Sequence, residues 1–165
     1  MIITASNIAF AIATLGITYQ DFKARAIHVL FLVLLICLGV FDAMIAQRDW
    51  NQVLFSLGFT TLVMGGMCVY VWLKTKRFTN PLVAHIGLGD VLFFLAVMPF
   101  FTFYSYMVFF ISGLVISLVL MLVLRRFISA NAIPLAGILS GYMLVLKGLE
   151  WLYGLNLFNA YLIQL

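Results

Sequence analysis

The chain has 165 residues, of which 66% are hydrophobic, 16% aromatic and only 8% charged, and its mean hydropathy is +1.22. A soluble domain carries roughly 25% charged and about 45–50% apolar residues, so a water-soluble globule is excluded; the aromatic content likewise excludes a disordered chain. The net charge of +4 rests on nine Lys and Arg against five Asp and Glu, too sparse for a nucleic-acid surface but suited to fixing topology in a bilayer.

The expected fold is therefore all-α: a polytopic membrane protein built from segments of about 20 apolar residues. The first apolar segment, 2–20, ends where Asp21, Lys23 and Arg25 arrive together. It lacks a basic leader region and runs almost directly into the next segment, so it reads as part of the mature protein. The second, 27–46, ends at Arg48, Asp49 and Asn51, and the third, 52–73, at Lys74, Lys76, Arg77 and Pro81. Residues 91–124 carry no charge. As one helix they would reach about 51 Å, against a hydrocarbon core of ~30 Å. Pro99 and the polar, aromatic run Thr102–Tyr106 divide them into spans 86–102 and 106–124, closed by Arg125 and Arg126. The last span is 131–152. Six transmembrane helices in a single domain, 1–165, are expected. The segments are continuously apolar rather than alternating, which argues against a β-barrel.

Short loops rich in Lys and Arg face the cytoplasm. Lys23, Arg25, Lys74, Lys76, Arg77, Arg125 and Arg126 follow spans 1, 3 and 5, whereas the other side holds Arg48 and Lys147. Both termini are thus expected outside, in a multi-pass protein of the cytoplasmic (inner) membrane. Trp50, Trp72, Trp151 and Tyr153 fall near span ends, as interface anchors do.

A carboxylate inside a membrane costs roughly 2.5–3.5 kcal/mol on insertion scales and marks function by default. Asp49 reads as a solvated loop charge beside Arg48, Glu150 as an i,i+3 partner of Lys147, and Asp42 as an interfacial or paired residue. Asp21 and Asp90 differ. Span 1 runs inward and ends at Asp21; span 4 runs outward and begins at Gly87-Leu88-Gly89-Asp90. Both carboxylates therefore sit at the cytoplasmic side, where they can meet, while Asp42 and Glu150 lie on the opposite face. Two carboxylates held close share a proton. The ionised one can take a proton from water while the protonated one polarises a peptide carbonyl. Gly87 and Gly89 are expected to shape the turn, through close backbone approach and unusual dihedrals. Two helix-end Asp residues serving only as caps are the plainer reading of the same spacing.

Gly87-Leu88-Gly89-Asp90 at the start of the fourth span, with Asp21 in a D-x-K-x-R-x-I stretch after the first, resembles the type IV prepilin peptidases. These are GxGD membrane aspartic proteases that include the archaeal preflagellin peptidases. Ala132-Ile133-Pro134-Leu135-Ala136-Gly137 also resembles the start of that family's last helix. The resemblance implies catalytic roles for Asp21 and Asp90. It implies an endopeptidase, without cofactor, that removes short basic leaders from pilin-like precursors at the cytoplasmic face. The sequence departs from the family pattern at His28, where Pro is common after Ile27, and at Leu92, where Lys is common. It also lacks the cytoplasmic insertion with CxxC motifs that accompanies N-methylation, so no methyltransferase activity is expected.

Lys23, Arg25, His85 and Pro134 are auxiliary candidates. Lys23 and Arg25 also serve topology and anionic lipid, and His28 and His85 also read as interface residues. No metal site is expected from two His and two Asp at these spacings, and Cys37 and Cys68, without a CxxC pair, read as inert. Gly65-Gly66 and Gly113 are expected to allow close helix packing. Two other functions fit the carboxylates: a GxGD protease cutting within transmembrane helices, and a small transporter or assembly protein with a proton or cation site. No nucleic-acid partner is expected; the partners are precursor proteins and the lipid bilayer.

Overall fold

A computed structural model describes residues 2–75, 87–124, 134–153 and 157–158. Among these the chain is helical, with no strand: α1 (Ile2–Ala24), α2 (Val29–Ile45), α3 (Trp50–Thr75), α4 (Leu88–Val97) continued by a 3-10 turn (Met98–Phe100), α5 (Phe103–Leu124) and α6 (Leu135–Tyr153). Each predicted span overlaps one of these helices. Three segments are long and apolar enough to cross a membrane: Trp50–Lys74, Phe103–Val123 and Leu135–Tyr153. These mark a membrane protein. Val29–Ile45 and Leu88–Phe100 are shorter apolar helices. Lys76, Arg77, Pro81, His85, Arg125, Arg126, Ala132 and Ile133 lie outside the described residues.

The helix ends follow local chemistry. Arg25 closes α1 in the left-handed region, at φ 51°, and its N–H donates to the Asp21 carbonyl at 3.0 Å, satisfying an otherwise orphaned acceptor. Gln47, at φ 48°, turns the chain after α2. Asp49 starts α3: its Oδ1 accepts the Asn51 N–H at 3.0 Å, as an N-cap residue does. At Pro99 the missing N–H and the fixed ring tighten α4 into the 3-10 turn. Phe101 is then extended, at φ −118° and ψ 150°, and α5 begins at Phe103. The long uncharged stretch is thus folded in two where its proline and polar residues place the break. Pro134 precedes α6, and its carbonyl accepts the Ile138 N–H at 3.1 Å.

Packing centres on α1, which lies along α6 and α2. Ala13, Thr14 and Ile17 of α1 and Ala136, Leu139 and Ser140 of α6 are all fully buried, and the two helices pack together. Small residues and hydroxyls allow such close approach in a membrane protein. Thr18 Oγ1 lies 2.7 Å from Ser140 Oγ, and Ser140 donates to the Gly137 carbonyl at 3.0 Å. Aromatic rings fill the interior at the α4–α5 corner: Phe101 stacks on Phe109 at 4.8 Å and on Phe158 at 4.6 Å, and Phe94 meets Phe110 at 4.6 Å. Helix α3 is tied to this corner by Thr60 Oγ1 and Tyr106 Oη, 2.7 Å apart, and by Gln52 Oε1, which accepts the Phe103 N–H at 3.1 Å.

The loop between α2 and α3 is more specific than its sequence suggests. Arg48, beside the solvated Asp49, is buried: its side chain donates to Asp42 Oδ2 at 2.8 Å and to the Pro99 carbonyl, and pins the α2–α3 loop to the 3-10 turn. Asp42 is thereby paired, whereas Asp49 is exposed and caps α3. Gly65 and Gly66 support no close packing, because a Cβ at either would meet nothing within 4 Å among the described residues. Gly113 does, against Leu139. Lys147 and Glu150 pair as read, at 2.8 Å, but both are largely buried, and Lys147 lies 4.6 Å from the Phe158 ring centre.

Candidate active site

Four helix ends converge at one side of the bundle: the end of α1 and the starts of α2, α4 and α6. Asp21 lies in the last turn of α1 and is 6% exposed. Asp90 lies in the first turn of α4 and is half-buried. The two are linked through the backbone of α6. The Ala136 N–H donates to Asp90 Oδ1 at 2.9 Å, and the next N–H in the chain, Gly137, donates to Asp21 Oδ2. Consecutive amides of the first turn of α6 thus hold one carboxylate each. First-turn amides have no partner within their own helix. They also form the positive end of the helix dipole, which offsets part of the repulsion between two carboxylates whose charges act on one another.

The three glycines at the site act through space, not dihedral angle. Gly87 has an ordinary extended backbone, at φ −61° and ψ 134°, so the expected unusual dihedral is absent there. A Cβ on Gly87 would instead lie 3.1 Å from Asp90 Oδ2. On Gly89 it would lie 3.1 Å from Ile27 Cδ1, so this glycine admits the α1–α2 loop against the start of α4. Gly137 is the tightest at the dyad: a Cβ would come within 3.0 Å of Phe22 Cδ2 and 3.1 Å of both Asp21 Cβ and Oδ2. A hydroxyl pair supports this turn from beneath. Thr18 Oγ1 donates to the Thr14 carbonyl at 2.9 Å and lies 3.3 Å from the Gly137 carbonyl.

The carboxylates open into a cavity of about 870 Å³ lined by residues of α1 to α6, among them Arg25, Gly87, Gly89, Met64, Phe94 and Leu135. Its charged lining residues are Asp21, Asp90 and Arg25; the other side chains lining it are apolar. Of the auxiliary candidates, Arg25 lines the cavity and Pro134 sets the start of α6. Lys23 is exposed and turned to Tyr19, whose Oη it reaches at 2.9 Å, so it is not part of the lining. His28 is exposed and its N–H donates to Gln20 Oε1 at 2.9 Å; His85 lies outside the described residues. No group of three or more His, Cys, Asp or Glu gathers among the described residues.

Chemically, the arrangement offers two adjacent carboxyl groups, fixed from behind by amides, facing a cavity with room for a peptide segment. The parts that side-chain patterns did not reveal are the Ala136 and Gly137 amides. The signal was a glycine three residues after a proline at a helix start, in the stretch Pro134-Leu135-Ala136-Gly137. No protein-family model, curated protein or solved structure matches the chain.

Proposed function

We propose that the chain is a membrane aspartic endopeptidase of prepilin-peptidase type, with Asp21 and Asp90 as its dyad. The observation that carries this reading is the seating of both carboxylates, which line one cavity, on consecutive amides. Six spans cross the inner membrane with both termini outside, and the dyad works at the cytoplasmic face. The substrate is a pilin-like precursor with a short basic leader and a hydrophobic helix.

One carboxyl group of the dyad is ionised and the other protonated. The ionised group takes a proton from a water molecule, whose oxygen adds to the scissile carbonyl carbon. The protonated group gives its proton to the carbonyl oxygen. The tetrahedral adduct then breaks its C–N bond, the amine leaves with a proton returned by the dyad, and a carboxylic acid remains. The scissile segment is extended when bound, because a helical carbonyl is engaged in its own backbone hydrogen bond. Arg25, which also lines the cavity, lies beside that segment.

Co-expression in membranes tests the reading. Wild type, Asp21→Ala and Asp90→Ala are paired with precursors bearing a basic leader, and insertion is checked by blot. Cleavage by wild type alone, at the leader–helix junction, is expected. A cut within the helix core would reassign the chain to the intramembrane proteases. Full cleavage by either variant would remove the dyad, and an Asp90-dependent ion flux without proteolysis would make it a carrier.

A further inference from the structure

We propose that Thr18 and Ser140 are positioning residues for the dyad: their hydroxyls together lock the turn of α6 on which both carboxylates are seated. This rests on the peptidase reading above and adds what keeps its two acidic groups in register.

Gly137 is held at both its backbone groups. Its N–H donates to Asp21 Oδ2, while its carbonyl accepts from Ser140 Oγ at 3.0 Å and lies 3.3 Å from Thr18 Oγ1. The two hydroxyl oxygens are 2.7 Å apart. Thr18 precedes Asp21 by three residues, so α1 is tied to this turn at two points about 4.5 Å apart along its axis. One hydrogen bond alone acts as a pivot. A second tie, nearly a turn away on the same two helices, fixes how α1 rotates about its axis and slides along α6. Asp90 depends on the same turn, because the Ala136 N–H, one residue earlier, donates to its Oδ1 at 2.9 Å. Loosening the hydroxyl pair therefore shifts one carboxylate relative to the other.

Helix packing alone does not call for this pair. Thr18 Oγ1 already has the Thr14 carbonyl of its own helix at 2.9 Å, as hydroxyls in helices commonly do. Hydroxyl bonds between membrane helices add little stability, because separated helices find other partners for the same groups. What the pair supplies is direction. Neither Thr18 nor Ser140 lines the cavity, so both act through Gly137 and Asp21 rather than on a substrate. A comparable pair elsewhere lacks this link: Ser112 Oγ lies 3.0 Å from Tyr142 Oη and joins α5 to α6. The other hydrogen bonds of Ser112 go to the Val108 and Phe109 carbonyls of its own helix.

The test combines magnetic resonance of the full-length protein in detergent micelles, its glycines labelled with heavy nitrogen, with precursor cleavage. The Gly137 amide resonance, assigned by its absence in Gly137→Ala, reports the bond to Asp21, because a charge-assisted hydrogen bond is short and strong and moves its proton downfield. Thr18→Val with Ser140→Ala should move this resonance upfield, whereas Thr18→Ser, which keeps the hydroxyl, and Ser112→Ala should leave it in place. If the double variant fails to fold, Thr18→Val alone carries the same comparison. In cleavage, the double variant should lose about tenfold in kcat, as a displacement of about half an ångström predicts, with KM unchanged, and Thr18→Ser should recover most of the rate. Its profile of kcat/KM against pH should narrow, because carboxylates held less closely share a proton over a smaller pH range. Arg25, the other charged residue lining the cavity, is intact in every variant. An unmoved Gly137 resonance, or an equal fall in kcat for Ser112→Ala, would overturn the positioning role. Cleavage by wild type is scored separately. Cleavage with an unmoved resonance removes the positioning role and keeps the peptidase, whereas a moved resonance without cleavage by wild type removes the peptidase and keeps the tie between the hydroxyl pair and the seat of Asp21.

Discussion

Gly137→Ala probes the dyad without touching either carboxylate. The added methyl would sit 3.0 Å from Phe22 Cδ2 and 3.1 Å from Asp21 Cβ and Oδ2. Carbon atoms rest at about 3.5–4.0 Å, so α1 and α6 must separate by roughly half an ångström. Misplacing a reacting group by ~1 Å costs about 10²-fold, and half that displacement predicts a fall in kcat of about tenfold. KM should hardly move, because neither Gly137 nor Phe22 lines the cavity. Overpacking costs about 1–3 kcal/mol, against which alanine returns up to about 1 kcal/mol of helix preference over glycine. The net loss is about 1 kcal/mol, or a Tm lower by about 2–4 °C for a chain of this size. Gly66→Ala is the matched control. Its methyl meets nothing within 4 Å among the described residues, so it should gain about 0.5–1 kcal/mol and leave kcat unchanged. The assay is precursor cleavage by purified protein in detergent or liposomes, with thermal unfolding alongside. A Gly137→Ala protein with wild-type kcat and Tm would refute the argument that this turn sets the position of Asp21.

The two motif glycines should differ. Gly87→Ala displaces the Asp90 carboxylate and should lose more cleavage than Gly89→Ala, whose methyl meets only the tip of Ile27; Ile27→Ala should restore the latter, and equal unrestored losses would contradict this. Arg48→Met leaves Asp42 without its partner and should lower stability by about 1–3 kcal/mol in a denaturation series, below the 3–5 kcal/mol of fully buried pairs because Asp42 is a third exposed. That tie lies at the opposite ends of the helices from the dyad, so kcat should be unchanged. The pH profile of kcat/KM should be bell-shaped: at low pH the base carboxylate is lost to protonation, and at high pH the acid loses its proton. A profile flat between pH 4 and pH 9 would exclude a shared-proton dyad.

Much of this arrangement was legible in the sequence because membrane chains punctuate themselves. Charges and prolines are costly inside a bilayer, so Asp21, Arg48 and Pro99 mark helix ends or breaks, and the helices start and stop close to them. The pairing of Asp21 with Asp90 followed from counting spans, since both fall at the same ends of oppositely running helices. Contacts made by backbone were harder to foresee. The Ala136 and Gly137 amides have no side-chain signature, and their role depends on α6 docking against α1, which hydrophobicity alone does not specify. The buried position of Arg48 has no local signal, because its partners, Asp42 and the Pro99 carbonyl, include one 51 residues away. Gly65 and Gly66 were misread because a glycine that permits close approach looks, in sequence, like one that faces open space.

The central claim is that Asp21 and Asp90 act as one catalytic unit. Its most direct test is the cleavage rate of purified Asp21→Asn, Asp90→Asn and the double variant, each shown to be folded by its thermal transition. Members of one unit are non-additive: once one is gone, loss of the other adds little. The account predicts that all three variants fall to the same background rate. Substantial cleavage by either single variant, or a double-variant loss equal to the product of two modest single losses, would contradict it.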